Sequence, residues 1–173
     1  MTEGEPVILE VMIEASRETV FEFFVDPVKM RRWMGGHTAL EAQSGGVFAV
    51  DNGDNHARGS FLVVEPPERV VFTWGWEGSE LVPPGSSTVT VVLESRGRGT
   101  LVRLAHSDLP AGEDVRHAQG WNHYLGRLSK AAVGMDPGPD PYAEGQAVMY
   151  EAETGKGDAL ERQAKRPPTS RRV

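Results

Sequence analysis

Residues 68–76, ERVVFTWGW, carry Val70, Phe72, Trp74 and Trp76 at every second position. In an extended strand these four side chains share one face. A face that takes two tryptophans and a phenylalanine from a single strand is stable only under a cover. The chain is therefore constrained to a layered fold with something apolar lying on that side.

The flanking sequence supplies more of the same sheet. TALEA, GVFAVD, RGSFLVVEP, STVTVVLES and GTLVRLAHS are separated by clusters of Gly, Pro, Asn and Asp, among them DNGDN and the hairpin turn RGRG. Val89, Val91 and Leu93 share a face, as do Val102, Leu104 and His106. VILEVMIE at 7–14 alternates as well and reads as a first strand. After it, Ser16 is placed to cap a helix with Glu18 in its first turn and Val20, Phe21 and Phe24 on one face, interrupted by Pro27. A second short helix is expected over 28–33, ending near Gly35 and Gly36.

The cover is the helix that contains RHAQGWNHYLGRL, residues 116–128. At 100° per residue, Ala118, Trp121, Leu125, Leu128 and Ala132 form an apolar stripe, with Arg116, His123, Arg127 and Lys130 opposite. His117 and Tyr124 fall on one border of the stripe, Asn122 and Ser129 on the other. Glu113 and Asp114 suit the positive end of the helix dipole. Gly120 and Gly126 each cost about 1 kcal/mol against alanine in a helix interior, through close approach, a bend or simple tolerance. The pattern is α+β: an antiparallel sheet covered on its apolar side by a long helix, with two short helices after the first strand.

MDPGPDPY, from Met135, cannot continue that helix. One domain is expected over residues 1–134, and residues 135–173 are expected to be a linker and a tail. That tail is read as weakly helical over 143–165 and frayed at KRPPTSRRV. The formal net charge of −7 argues against a nucleic-acid partner. An acidic start and the lack of a long apolar run make a cytoplasmic location, away from membranes, the expectation. With no cysteine, and with His37, His56, His106, His117 and His123 in no paired metal spacing, no metal and no cofactor are expected. No phosphate loop, dinucleotide fingerprint or nucleophile elbow is present.

Several stretches, in order, resemble the activator of heat-shock protein 90 ATPase homologue family, within the START-like, birch-pollen-allergen-like (SRPBCC) fold. They are IEASRETVFEFFVDPVKMRRWM (13–34), SGGVF (44–48), GSFLVVEPPERVVFTW (59–74), GTLVRLAHSDLP (99–110) and GWNHYLGRL (120–128). The resemblance implies a helix-grip fold with a cavity between sheet and helix, and it puts Trp33, Phe48, Phe72, Trp74 and Trp121 on the family's aromatic positions. EGSELVPPGSS (77–87) and everything after Gly134 depart from it.

Three functions follow as expectations. The first is binding of a small hydrophobic or aromatic molecule, with Phe61, Trp76, Leu104 and Leu125 joining those five rings as walls and His106, His117, Asn122 and Tyr124 as orienting polar groups. The second is a cyclase or dehydratase that moves a proton with His106, although such a histidine is more often a satisfied core residue. The third is an interaction module for a chaperone ATPase. The resemblance also admits a homodimer.

Overall fold

The computed structural model describes residues 4–143. The weak helix expected over 143–165, apart from Ala143, and the KRPPTSRRV segment lie outside the described residues.

The first strand, β1 (Val7–Ile13), leads into α1 (Arg17–Val25) and α2 (Pro27–Met30). Ser16 caps α1 by accepting from the Thr19 backbone N–H, and Asp26 caps α2 by accepting from Val28 and Lys29. Pro27 therefore marks the junction of two helices, and α2 is shorter than the expected span: Arg31 to Trp33 form turns rather than a continued helix. The strands β2 (His37–Leu40), β3 (Val47–Asn52), β4 (Asn55–Glu65), β5 (Arg69–Trp74), β6 (Ser87–Arg96) and β7 (Gly99–Ser107) follow, then α3 (Glu113–Ala131).

The seven strands form one sheet in the order β1-β7-β6-β5-β4-β3-β2, antiparallel throughout. This is the helix-grip arrangement, an α+β fold whose curved sheet holds α3 against one face. Register aligns the inner faces: Phe61 lies opposite Phe72, Phe72 opposite Val89, and Val89 opposite His106. Inward positions recur at every second residue, as period-two alternation requires, except where a bulge between Phe61 and Val63 shifts the register of β4 against β5.

Two glycines make the sheet possible. At Gly59 a Cβ would lie 1.9 Å from the Thr73 carbonyl oxygen, so β4 and β5 approach more closely than any side chain allows there. Gly97, with φ +59°, makes the tight β6–β7 turn. Residues 77–86 fold back over the end of β5: the Trp76 N–H donates to the Val82 carbonyl, and Val82 is buried. Residues 136–142, read from sequence as a linker, lie against α3 and the β3–β4 turn, where Gly53 leaves room for the Tyr142 carbonyl.

Candidate functional site

The helix is set deeper into the polar side of its own wheel than hydrophobicity alone indicates. Its buried residues are Glu113, His117, Gly120, Trp121, Tyr124, Leu125, Leu128 and Ala131. His117 and Tyr124 are thus part of the inner face, whereas Ala118 and Ala132 are half-buried beside it. Polar atoms on an inner face are costly unless they find partners, and those of His117 and Tyr124 do.

Trp121 Nε1–H donates to His106 Nδ1 at 2.9 Å. That fixes the proton of His106 on Nε2, which lies 2.8 Å from Ser87 Oγ, and the Ser87 hydroxyl donates onward to the Trp74 carbonyl at 2.7 Å. A parallel relay starts at Trp76, whose Nε1–H donates to His117 Nε2 at 3.1 Å; His117 Nδ1–H then donates to the Glu113 carbonyl at 2.8 Å. The two imidazoles meet edge to face, 5.1 Å apart. Burial drives both away from the cationic form. His117 is pushed down to about 4, with the Glu113 carbonyl opposing the shift and Arg116 adding to it, and His106 is held well below its ordinary value by burial and by His117.

The remaining walls are rings. Phe48 stacks on Phe72 at 4.0 Å, Phe61 meets Phe48 edge-on at 5.6 Å, and Trp74 touches Trp121 at 5.1 Å and Trp76 at 5.2 Å. All of them are at most 1% exposed, and Leu104 and Leu125 are buried with them. Trp33 is also buried but packs edge-on against Phe24 at the α1–α2 end, its indole N–H donating to the Phe23 carbonyl. Asn122 is exposed on α3, away from this interior. The structure therefore gathers Phe48, Phe61, Phe72, Trp74, Trp76, Leu104, His106, His117, Trp121, Tyr124 and Leu125 into the core under α3, and leaves Trp33 to one side and Asn122 outside.

Three indole N–H groups are matched. The fourth, Trp74 Nε1–H, is buried with no partner among the described residues. It sits amid Phe72, Trp76, His106 and Trp121, where a lone donor is costly.

Several residues that shape the interior carried no signal in the sequence. Ser87 lies two residues along β6 from Val89, the direct partner of His106. Asn52 and Asn55 read as turn residues, yet both are buried at the β3–β4 corner. Asp140 is buried against Tyr124 from a segment expected to be a linker. Such contacts join positions up to 88 residues apart, and no local period records them. Two surface hollows lie elsewhere. One, of about 310 Å³, is lined by Glu18, Phe21, Glu22, Pro66 and Pro67, and the other, of about 280 Å³, by Gly112, Val115, Arg116 and Gln119.

A family model described as Activator of Hsp90 ATPase homolog 1-like protein matches residues 14–132. No curated protein matches the chain. Among solved structures, an AHSA1-like protein from Rhizobium etli is 44% identical over 82% of this chain and 92% of its own, with a TM-score of 0.62. DynU16, a protein of the dynemicin biosynthetic locus, is 26% identical with a TM-score of 0.68 over 78% of this chain, which spans only 50% of that one. An HSP90 activator from Plasmodium falciparum shares the fold at 23% identity, over 70% of this chain and 91% of its own, with a TM-score of 0.61. Among the described residues, no helix is long and apolar enough to cross a membrane.

Proposed function

Because the chain belongs to the Activator of Hsp90 ATPase homolog 1-like family, matched over residues 14–132, we propose that its function resides in the aromatic interior this fold gathers between sheet and helix. The reading is binding of a small, uncharged, largely aromatic or apolar molecule that offers a hydrogen-bond acceptor.

The observation that carries it is Trp74 Nε1–H. In an interior where two indoles and two imidazoles are matched, this buried indole donor has no partner among the described residues. Leaving it so costs about 1–3 kcal/mol, and a carbonyl or ether oxygen on a guest recovers that. The walls are Phe48, Phe61, Phe72, Trp76, Leu104, Trp121 and Leu125, and the guest enters by parting rings that otherwise touch. Trp74 Nε1–H sets its orientation, because the polar atoms of His106, His117 and Tyr124 are already engaged. An ionised guest is disfavoured, since both histidines are held neutral and would leave its charge unpaired.

Proton-transfer catalysis is less well supported, because both ring nitrogens of His106 are already engaged and burial removes its readiness to take a proton. A chaperone ATPase as partner is favoured by the family match alone. The test is retention of the host's chaperone and a change in its ATPase rate on adding this protein; the absence of both effects would remove that reading.

The test of the main reading compares 2-acetylnaphthalene with 2-ethylnaphthalene, which has nearly the same shape but no acceptor. Titrations followed by the indole N–H resonances should show the acetyl compound binding about tenfold more tightly, a difference of about 1.4 kcal/mol. Trp74→Phe should erase that preference. Failure of both compounds to shift any interior resonance would end the proposal.

A further inference from the structure

At the β3–β4 corner, three donors from the body converge on one carboxylate. Tyr124 Oη lies 2.9 and 3.0 Å from the two Asp140 oxygens and donates its hydroxyl proton to them. His123 Nε2 lies 3.2 Å from Oδ1, and Asn52 Nδ2 lies 3.4 Å from Oδ2 while also donating to Tyr124 Oη. Asp140 is 8% exposed, Asn52 2% and Tyr124 wholly buried. Burying an anionic carboxylate is expensive unless several donors surround it, and this corner provides them from two elements, α3 and β3.

The carboxylate arrives on a separate piece of chain. Asp140 belongs to residues 136–142, beyond the stretch that matches the family, and this strap is pinned by Arg127, whose Nη1 donates to the Gly138 carbonyl at 2.6 Å and whose Nε donates to the Trp33 carbonyl at 3.0 Å. The strap shapes itself for the purpose: the Tyr142 N–H donates back to Asp140 Oδ1 at 3.2 Å, and the Tyr142 ring lies 5.3 Å from that of His123. Asn52 Oδ1, an acceptor buried there with no partner among the described residues, adds nothing for an ionised carboxylate, so the donors of the corner are Tyr124 Oη, His123 Nε2 and Asn52 Nδ2.

We propose that Tyr124, His123 and Asn52 form a carboxylate-binding site, which the strap occupies in cis with Asp140 and from which a small carboxylate molecule displaces it. The tethered acid competes through its high local concentration, so an external acid binds the intact protein weakly and binds tightly once Asp140 is gone. The ligand class is a low-molecular-weight carboxylic acid in its ionised form. It differs from the uncharged guest assigned to the ring-lined interior, so the two assignments stand or fall separately.

The test uses the full chain carrying Asp140→Ala, with acetate and benzoate as probes and sodium chloride at matched ionic strength as control. Backbone and Tyr ring resonances report binding. Asp140→Ala should take up both acids saturably, at least about tenfold more tightly than the unaltered protein, with shifts centred on Tyr124, His123 and Asn52. Adding Tyr124→Phe should weaken that uptake several-fold. Should Asp140→Ala lose its folded near-ultraviolet signature, Asp140→Ser, which also removes the carboxylate, gives the same comparison. Equal uptake with and without Asp140, shifts located elsewhere, or indifference to Tyr124→Phe would each overturn the proposal.

Discussion

Lowering the pH should loosen this protein well before its carboxylates titrate, and His117 sets the size of the effect. In the folded chain His117 is buried, accepts from Trp76 and titrates near 4; unfolded, it returns to about 6.5. Since the folded value is depressed, the unfolded chain binds the extra proton. The stability due to neutral His117 is therefore complete above about pH 6.5 and is lost as pH falls toward 4. Between pH 7.5 and pH 5 the loss from this group alone works out at about 2 kcal/mol. With a urea slope of about 2 kcal/mol per M, that lowers the midpoint by roughly 1 M. His106 shifts in the same direction and adds to the fall, although two imidazoles 5.1 Å apart titrate as a coupled pair rather than independently. The informative variant is His117→Gln, whose side-chain oxygen still accepts from Trp76 and whose amide still donates to the Glu113 carbonyl. Urea unfolding at both pH values should show the variant losing about 2 kcal/mol less than the unaltered chain on acidification. An identical fall in both proteins would refute the reasoning, because the acid sensitivity would then come from groups other than this histidine.

Three other outcomes follow from the geometry. Trp121→Phe leaves His106 Nδ1 buried without its donor, whereas Trp74→Phe removes an N–H that had no partner; chemical unfolding should find the first variant less stable than the second by about 1–3 kcal/mol. Gly126→Ala should stabilise by about 0.5–1 kcal/mol, since a Cβ there meets nothing within 4 Å, while Gly59→Ala forces β4 off the β5 backbone and should cost about 1–3 kcal/mol or more, both read from thermal midpoints. Ser16→Ala removes the α1 cap and should cost about 1 kcal/mol in the same assay, with the tertiary resonances of α3 unchanged.

The surroundings of the two helix glycines separate the alternatives the sequence left open. Of the two helix glycines, Gly126 sits on the exposed side with space around it and reflects tolerance, whereas Gly120 lies on the buried face. The wheel placed His117 and Tyr124 at the edge because hydrophobicity alone weights it. Both move inward because Trp76 and Asp140 satisfy their polar atoms, and those partners lie 41 and 16 residues away.

Strand positions, the inward set Phe72, Trp74, Trp76, Leu104 and His106, the capped α1 and the covering helix were determined by the sequence, because each is written in a local period of 2 or 3.6 residues and ended by Pro or Gly. Tertiary structure alone decided that His106 is already matched on both nitrogens, that Trp74 is the unmatched indole, that Asn122 faces outward, and that Asp140 returns to Tyr124 and Asn52. Each of these depends on which distant polar atoms come within about 3 Å of each other, and a one-dimensional pattern of apolar and polar residues carries no record of such pairing.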